Sequence, residues 1–144
     1  MLMYTGLRPS DIINITVEQI DLLKMEMRFY SSKTDNWFVR PIHEKLTDIL
    51  TTRINEVKTG RIFNYSNSKA MERAVRRYYA ALKMSDRGYT IRTFRKDFIS
   101  RSQESGVSIA ATAMLVGHSN IKTTMTYYTK FSSNHLKDEL SKLK

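Results

Sequence analysis

The chain has 144 residues, 41% of them hydrophobic and 26% charged, which is typical of one globular domain, and its lack of cysteine excludes disulfides and cysteine-ligated metal sites. No apolar run is long enough to cross a bilayer and no secretory leader pattern is visible, so we expect no membrane partner. The lack of cysteine is consistent with the intracellular location that we expect. Lys and Arg number 24 against 14 Asp and Glu, and the net charge of +10, with a pI near 9.9, favours a polyanionic partner.

The first 19 residues predict the end of one helix and then two further short helical segments. Met1 to Tyr4 is apolar and reads like the end of a helix that begins further upstream, so we expect a domain excised from a longer protein. Pro9-Ser10-Asp11 is typical of a helix start, and residues 16–19 (Thr-Val-Glu-Gln) form a capping-box pattern for a further short turn of helix.

A β-hairpin is predicted next. Residues 25–30 alternate apolar and polar side chains, which is the period of a strand, and residues 32–36 (Ser-Lys-Thr-Asp-Asn) have the composition of a turn. Residues 37–40 predict the returning strand, which Pro41 ends. Lys33 therefore lies near the tip of the hairpin.

The rest of the chain predicts helices. Leu46, Ile49, Leu50, Ile54 and Val57 share one face of a helix, with Gly60 as its C-terminal stop. Further helices are predicted over residues 67–83, 90–105 (ended by Gly106), 108–116 (capped by Ser108) and 120–130, followed by an amphipathic tail from Ser133 with Leu136, Leu140 and Leu143. The expected fold is mainly α with a small antiparallel β-hairpin, in a single domain over residues 1–144.

Positive charge is concentrated in residues 69–101. This segment has ten basic side chains against three acidic ones, a surplus of seven that pairing along a helix does not neutralise. Part of the surplus is an ordinary solvated helix face. We nevertheless predict that part of it contacts nucleic acid, and we assign this role to Arg73, Arg76, Arg77 and Lys96.

Five short motifs, in order, resemble the active-site segments of the tyrosine recombinases, the phage integrase family. Residues 5–11 (Thr-Gly-Leu-Arg-Pro-Ser-Asp) match the first, and Lys33 lies where the family has a catalytic lysine on the following hairpin turn. Residues 92–95 (Arg-Thr-Phe-Arg) stand where the family usually has His-x-x-Arg, residues 115–118 match Leu-x-Gly-His, and residues 123–128 match the segment with the nucleophilic tyrosine. The resemblance extends from Thr5 to about Lys130.

The spacing of the motifs supports the resemblance. Arg95 precedes His118 by 23 positions, and His118 precedes Tyr127 by nine, an interval that selects Tyr127 over its neighbour Tyr128 as the nucleophile. Gly106 follows Arg95 by eleven positions, where the family pattern also has a glycine. Tyr128 is then expected to pack against the domain or to support the active site, and it stays the alternative nucleophile.

The residue types suit phosphodiester cleavage without a metal or another cofactor. Arg8 and Arg95 are expected to clamp the phosphate, because guanidinium groups donate parallel hydrogen bonds to its oxygens, and His118 is expected to add another. The resemblance implies that Tyr127 attacks the phosphorus to form a 3′-phosphotyrosine. It also implies that Lys33 protonates the leaving 5′-oxygen.

Arg92 departs from the family pattern. Arginine stays protonated in proteins, so Arg92 cannot act as a general base at the position that usually holds histidine or lysine. It is expected to contact the phosphate or to stabilise a developing phenolate. The proton of Tyr127 then goes to water, to His118 or to the phosphate. The same substitution resembles integrases of archaeal viruses.

The resemblance implies site-specific recombination or integration of double-stranded DNA, in the cytoplasm or on the host nucleoid, by recombinase protomers that assemble as a tetramer. It also implies an N-terminal core-binding domain that the sequence lacks. A resolvase or a type IB topoisomerase shares this chemistry. A catalytically silent DNA-binding regulator would share only the fold, and an RNA-binding module would share only the positive charge.

Asp11 is interpreted either as a helix N-terminal charge or as the partner of an active-site arginine. His43 and His135 show no metal-ligand spacing and are interpreted as structural or surface residues.

Overall fold

A computed structural model describes residues 1–84 and 88–118, together with Lys122, Thr124, Met125 and Ser141. Within this part of the chain the α-helices are α1 (Leu2–Thr5), α2 (Pro9–Ile12), α3 (Thr47–Val57), α4 (Ser68–Ala81), α5 (Ile91–Glu104) and α6 (Ile109–Val116). The strands are β1 (Ile20–Asp21), β2 (Glu26–Ser31) and β3 (Asn36–Pro41), and short 3-10 turns lie at Val17–Gln19 and Glu44–Leu46. The predicted mainly α fold with a small antiparallel sheet is confirmed.

The three strands form one antiparallel sheet in the order β1-β2-β3. Phe29 pairs with Phe38 and Met27 with Arg40, and the side chains of β2 alternate between exposed and buried as the sequence predicted. The turn of residues 32–35, with Lys33, joins β2 to β3. The sequence analysis missed β1, because a strand of two residues has no detectable period.

The main core lies between the sheet and the helices α2 and α3. Its most completely buried apolar side chains are Leu7, Ile12, Ile15, Met27, Leu46, Leu50 and Ile62. A second, smaller cluster joins α5 to α6, where Ile99 and Val116 are each 1% exposed and pack with Phe98 and Ile109. Burying these groups supplies the main driving force for folding and fixes α2, α5 and α6 as the supports of the site described below.

Two details of the predicted α3 face are wrong. Leu46 precedes the helix in a 3-10 turn, and Ile49 is 61% exposed instead of buried. The helix ends at Val57, three residues before Gly60, because Lys58 takes a positive φ of 69° and donates its N–H to the Ile54 carbonyl. Gly60 instead contacts the Val17–Gln19 turn, since its carbonyl accepts from the Val17 N–H at 2.8 Å.

The later helices begin within one residue of the predicted positions, and Ser108 is the N-cap of α6 as predicted, whereas α4 ends at Ala81, two residues before the predicted end. The Asn67 side chain accepts from the Ala70 N–H at the start of α4, Thr90 and Thr93 form a capping box at α5, and Ser108 caps α6 through the Ala111 N–H. Of the helix predicted over residues 120–130, Lys122, Thr124 and Met125 are helical, and the rest lies outside the described residues. So does the tail from Ser133, except Ser141, which is helical. Among the described residues, no helix combines the length and the apolar character that a bilayer crossing requires.

Candidate active site

A cleft of about 700 Å³ opens between the hairpin turn, the start of α2, the helices α4 and α5, and the residue that follows Gly117. Positive charge dominates its lining, which includes Arg8, Lys33, Lys69, Arg76, Arg92, Arg95 and Lys96 together with His118. Glu72 is the one carboxylate among the described residues that line it. These side chains come from segments far apart in the sequence, so the fold concentrates hydrogen-bond donors around one volume.

Arg8 lies at the N-cap position of α2 and reaches across to the end of α6. Its Nη2 donates to the Gly117 carbonyl at 3.3 Å, and its Nη1 lies 3.8 Å from Asp11 Oδ2. The Arg8 side chain keeps 20% of its surface exposed. It is therefore held in place from behind while part of the guanidinium remains open to the cleft.

Asp11 is a buried carboxylate behind the cleft, with 3% of its surface exposed. Ser31 Oγ donates to Asp11 Oδ2 and Ser10 Oγ donates to Asp11 Oδ1, both at 3.4 Å. Burial raises the pKa of the Asp11 carboxyl, and the nearby Arg8 guanidinium and the two hydroxyl donors offset part of that rise. Asp11 thus lies in the first turn of α2 and also pairs with Arg8, so both interpretations of this residue hold.

Arg95, on α5, is anchored to the main chain just before Arg8. Its Nη1 donates to the Gly6 carbonyl at 2.6 Å. Gly6 has a left-handed φ of 59°, and a Cβ at this position would lie 2.5 Å from Phe98 Cδ1 and 2.8 Å from Val116 Cγ1. Only glycine fits here without displacing α5 or α6, and the close approach brings the segment before Arg8 within reach of Arg95.

We expect Gly6→Ala to destabilise the protein more than Gly106→Ala. Both positions have positive φ, 59° and 76°, but a Cβ at Gly106 would meet nothing within 4 Å. Both variants therefore lose about 1–2 kcal/mol to the left-handed conformation, and Gly6→Ala loses about 1–3 kcal/mol more to overpacking. Urea unfolding of the two variants measures the difference, and equal losses would show that the crowding at Gly6 costs nothing.

His118 lies directly after the left-handed Gly117 that ends α6. Its N–H donates to the Ala113 carbonyl at 2.9 Å, and its Nδ1 lies 2.7 Å from Thr124 Oγ1. Burial, together with the positive charges of Arg95, Arg8 and Lys33, lowers the pKa of His118 from 6.5 to about 4. The imidazole is therefore neutral at pH 7.

We expect the ring of His118 to titrate near pH 4 in the free protein, below its ordinary pKa of 6.5. Between these values the unfolded chain binds a proton that the folded protein excludes, so the free energy of unfolding falls as pH drops from about 6.5 to about 4. An NMR titration, with the ring signals assigned from His118→Gln, measures the midpoint. A midpoint at or above the ordinary value would contradict the cationic, half-buried setting.

Lys33 and Arg92 are the exposed members of the predicted set. Lys33 lies in the hairpin turn, and Arg92 lies one helical turn before Arg95 on α5, so both side chains reach the cleft from its rim. The structure thus brings together Arg8, Lys33, Arg92, Arg95 and His118. Tyr127 and Tyr128 lie outside the described residues.

The predicted DNA-contacting residues divide into two pairs. Arg76 and Lys96 line the cleft, whereas Arg73 and Arg77 are exposed on α4 and are not part of its lining. His43 is structural, as interpreted: its Nδ1 accepts from the Lys45 N–H at 3.2 Å, and its ring lies 4.8 Å from that of Tyr4. His135 lies outside the described residues.

Sequence reasoning missed Lys69 and Glu72 as cleft residues. Glu72 Oε2 accepts from the Ile91 N–H and Oε1 from Arg76 Nε, both at 3.3 Å, so it ties α4 to the start of α5. Lys69 belongs to the basic segment 69–101, and that excess of charge was the available signal for it. A lone glutamate among ten basic residues gave no such signal.

The fold and this site together define a mainly α domain with a cleft lined mostly by cationic side chains. The sequence profile of the phage integrase family matches residues 1–134. The chain belongs to this family, and the resemblance to the tyrosine recombinases is confirmed.

Three known proteins illustrate the relationship. The tyrosine recombinase XerD of Staphylococcus epidermidis is 26% identical over 139 residues, covering 88% of this chain and 47% of XerD. The catalytic domain of bacteriophage HP1 integrase superposes with a TM-score of 0.69 at 25% identity, covering 98% of this chain and 77% of that domain. The integrase of the transposon Tn1549, in complex with transposon right-end DNA, gives a TM-score of 0.82 at 18% identity, covering 99% of this chain and 56% of that one.

The chain spans about half the length of the curated relatives that it matches. The likeness to the Tn1549 integrase, at 18% identity, shows the fold alone, and the catalytic domain of HP1 integrase, at 25% identity, shares this fold. The predicted fold class is therefore confirmed at the level of the fold family as well.

Proposed function

We propose that this chain is the catalytic domain of a site-specific recombinase or integrase that cuts and rejoins double-stranded DNA through a 3′-phosphotyrosine. One observation carries the proposal: Arg8, Lys33, Arg92, Arg95 and His118, which the sequence singled out from separate segments, line a single cleft. Phosphate oxygens accept hydrogen bonds, and every one of these side chains has a donor to give them.

In the proposed reaction the phenolic oxygen of Tyr127 forms a bond to phosphorus, and the bond from phosphorus to the 5′-oxygen breaks. Arg8 and Arg95 stabilise the charge that builds on the non-bridging oxygens. Lys33, at the hairpin tip, protonates the departing 5′-oxygen. The covalent link preserves the energy of the broken bond, so a 5′-hydroxyl of another strand reverses the step without ATP or another cofactor.

The proton of Tyr127 goes to water or to a phosphate oxygen in this proposal. Arg92 is a permanent cation and accepts no proton. Burial and the charges of Arg95, Arg8 and Lys33 lower the pKa of His118 to about 4, which makes it a weaker base than an ordinary histidine. We therefore assign His118 the role of a hydrogen-bond donor to the phosphate.

The proposed partners are double-stranded DNA and further copies of the protein, assembled as a tetramer on DNA inside the cell, in the cytoplasm or on the host nucleoid. The net charge of +10 favours the first partner. Arg76 and Lys96 extend the cationic surface beyond the phosphate clamp, and Arg73 and Arg77 continue it along exposed α4. In this proposal residues 1–144 form the catalytic domain of a longer protein, and the N-terminal core-binding domain is the other part of that protein. The matched relatives, which are about twice as long as this chain, support this division.

The test is to trap the covalent intermediate. Duplexes that bind the Tyr127→Phe variant are first selected from a random pool and then rebuilt with a nick beside each backbone position in turn. Wild-type protein is expected to form an adduct that withstands denaturant, because the nicked fragment diffuses away before religation. Wild-type protein that binds these duplexes without ever forming the adduct is a silent regulator instead, and a preference for RNA indicates an RNA-binding module. Relaxation of supercoils without strand exchange indicates a topoisomerase.

A further inference from the structure

The hydroxyl of Thr124 meets the buried edge of the His118 ring. The distance from His118 Nδ1 to Thr124 Oγ1 is 2.7 Å, a short hydrogen bond, and Thr124 has 0% of its surface exposed. Because Nδ1 is occupied there, Nε2 is the ring nitrogen left for the cleft that His118 lines. This hydrogen bond thus joins the buried residue Thr124 to His118, which lines the cleft.

A neutral imidazole has one N–H donor and one acceptor lone pair, and its partners decide which nitrogen holds the proton. The cleft around His118 is lined with the donors of Arg8, Lys33 and Arg95, which suits an anion that only accepts hydrogen bonds. A lone pair on Nε2 would face the same anion and repel it. Only the tautomer with hydrogen on Nε2 adds a donor to the cleft.

We propose that Thr124 is a positioning residue for the reaction: its hydroxyl donates to Nδ1 of His118 and thereby holds the hydrogen on Nε2, directed at the phosphate. The catalytic part of this inference rests on the proposed function. Thr124 touches neither the phosphate nor the nucleophile in this role. It acts through the orientation and the tautomer of the ring.

The burial of Thr124 supports this role over simple packing. A fully buried hydroxyl costs stability unless it makes a hydrogen bond, whereas valine has almost the same shape without that requirement. Among the described residues, the hydroxyl contacts His118 Nδ1, a hydrogen bond that a methyl group cannot make. The two residues are six apart, so the bond also fixes the helical residue 124 against the end of α6.

The first measurement is the tautomer of His118 by ¹⁵N NMR of the ring in the free wild-type protein at pH 7, with Thr124→Val and Thr124→Ser as a matched pair. We expect hydrogen on Nε2 in the wild type, a shift toward the other tautomer in Thr124→Val, and the wild-type pattern in Thr124→Ser. The serine variant keeps the hydroxyl and loses the methyl group, so it separates the hydrogen bond from packing.

The second measurement is single-turnover adduct formation on the nicked duplex at saturating DNA. Thr124→Val is expected to slow adduct formation about 10- to 100-fold, the range seen when the partner that orients a metal-binding histidine is removed. DNA affinity should stay nearly constant, and Thr124→Ser should restore most of the rate.

Hydrogen on Nδ1 in the wild type overturns the proposal, and so does a Thr124→Val variant with unchanged tautomer and rate. If Thr124→Val does not fold, the wild-type tautomer and the rate of Thr124→Ser decide. The tautomer is read without DNA, so its result stands apart from the proposed function: an Nε2 hydrogen with no adduct in the wild type refutes the recombinase and leaves the hydrogen-bond assignment intact.

Discussion

Tyr127→Phe is expected to abolish the covalent protein–DNA adduct while leaving DNA binding nearly unchanged. Phenylalanine keeps the ring and removes the only atom that attacks phosphorus in the proposed reaction. Removing the nucleophile of other covalent enzymes costs on the order of 10⁴-fold or more in rate, so adduct should be undetectable. Denaturing gels of the protein with its nicked duplex measure the adduct, and a gel-shift titration measures the affinity.

Tyr128→Phe is the matched control, with the same atom removed one position along the chain. In the helix predicted over residues 120–130, successive residues point about 100° apart, so we expect one phosphate to face only one of the two rings. The interval of nine residues from His118 favours Tyr127, and we expect Tyr128→Phe to retain most of the adduct. The reverse pattern would transfer the nucleophile to Tyr128, and loss of adduct in both variants would give Tyr128 a supporting role.

Arg95→Lys and Arg8→Lys are expected to slow adduct formation by about 10²–10³-fold each, judged from the loss of single oxyanion donors in other enzymes. Lysine keeps the charge but not the planar fork that binds two phosphate oxygens at once. In this protein the fork has a second use, because Arg95 also donates to the Gly6 carbonyl and Arg8 to the Gly117 carbonyl. A single ammonium group cannot hold those anchors and the phosphate in the same way.

Arg61→Lys provides the control for the arginine variants. Arg61 is exposed, lies outside the lining of the cleft and undergoes the same chemical change. Its rate of adduct formation and its DNA affinity should match the wild type. If the Arg95 and Arg8 variants lose affinity in proportion to rate, these arginines bind the ground state equally well and the clamp acts before the chemical step.

The sequence predicted the helices and the site for different physical reasons. Helix limits followed in part from local signals, such as Ser108 at the N-cap of α6, which acts on a neighbouring N–H group regardless of the rest of the fold. The gathering of Arg8, Lys33, Arg92, Arg95 and His118 followed from the order and spacing of motifs that resemble a known family. Periodicity alone would not have brought these segments together.

The failures have tertiary causes. Ile49 lies on the predicted apolar face of α3. Leu46 and Leu50 are buried in the core, however, whereas the side chain of Ile49 is exposed to solvent. Glu72 acquires its role only when α4 lies against the start of α5. Thr124 resembles any helical threonine until the fold places His118 beside it. None of these contacts has a local signal in the chain.

The contact between Asp11 and Ser31 makes the position of Arg8 independent of the conformation of the hairpin turn that contains Lys33. Asp11 contacts Arg8 on one side and Ser31, the last residue of β2, on the other, so the end of β2 next to the hairpin turn is secured to the start of α2. The turn of residues 32–35 projects beyond that attachment point. We therefore expect changes in the length or composition of residues 32–35 to move the Lys33 ammonium group and to leave the Arg8 guanidinium in place.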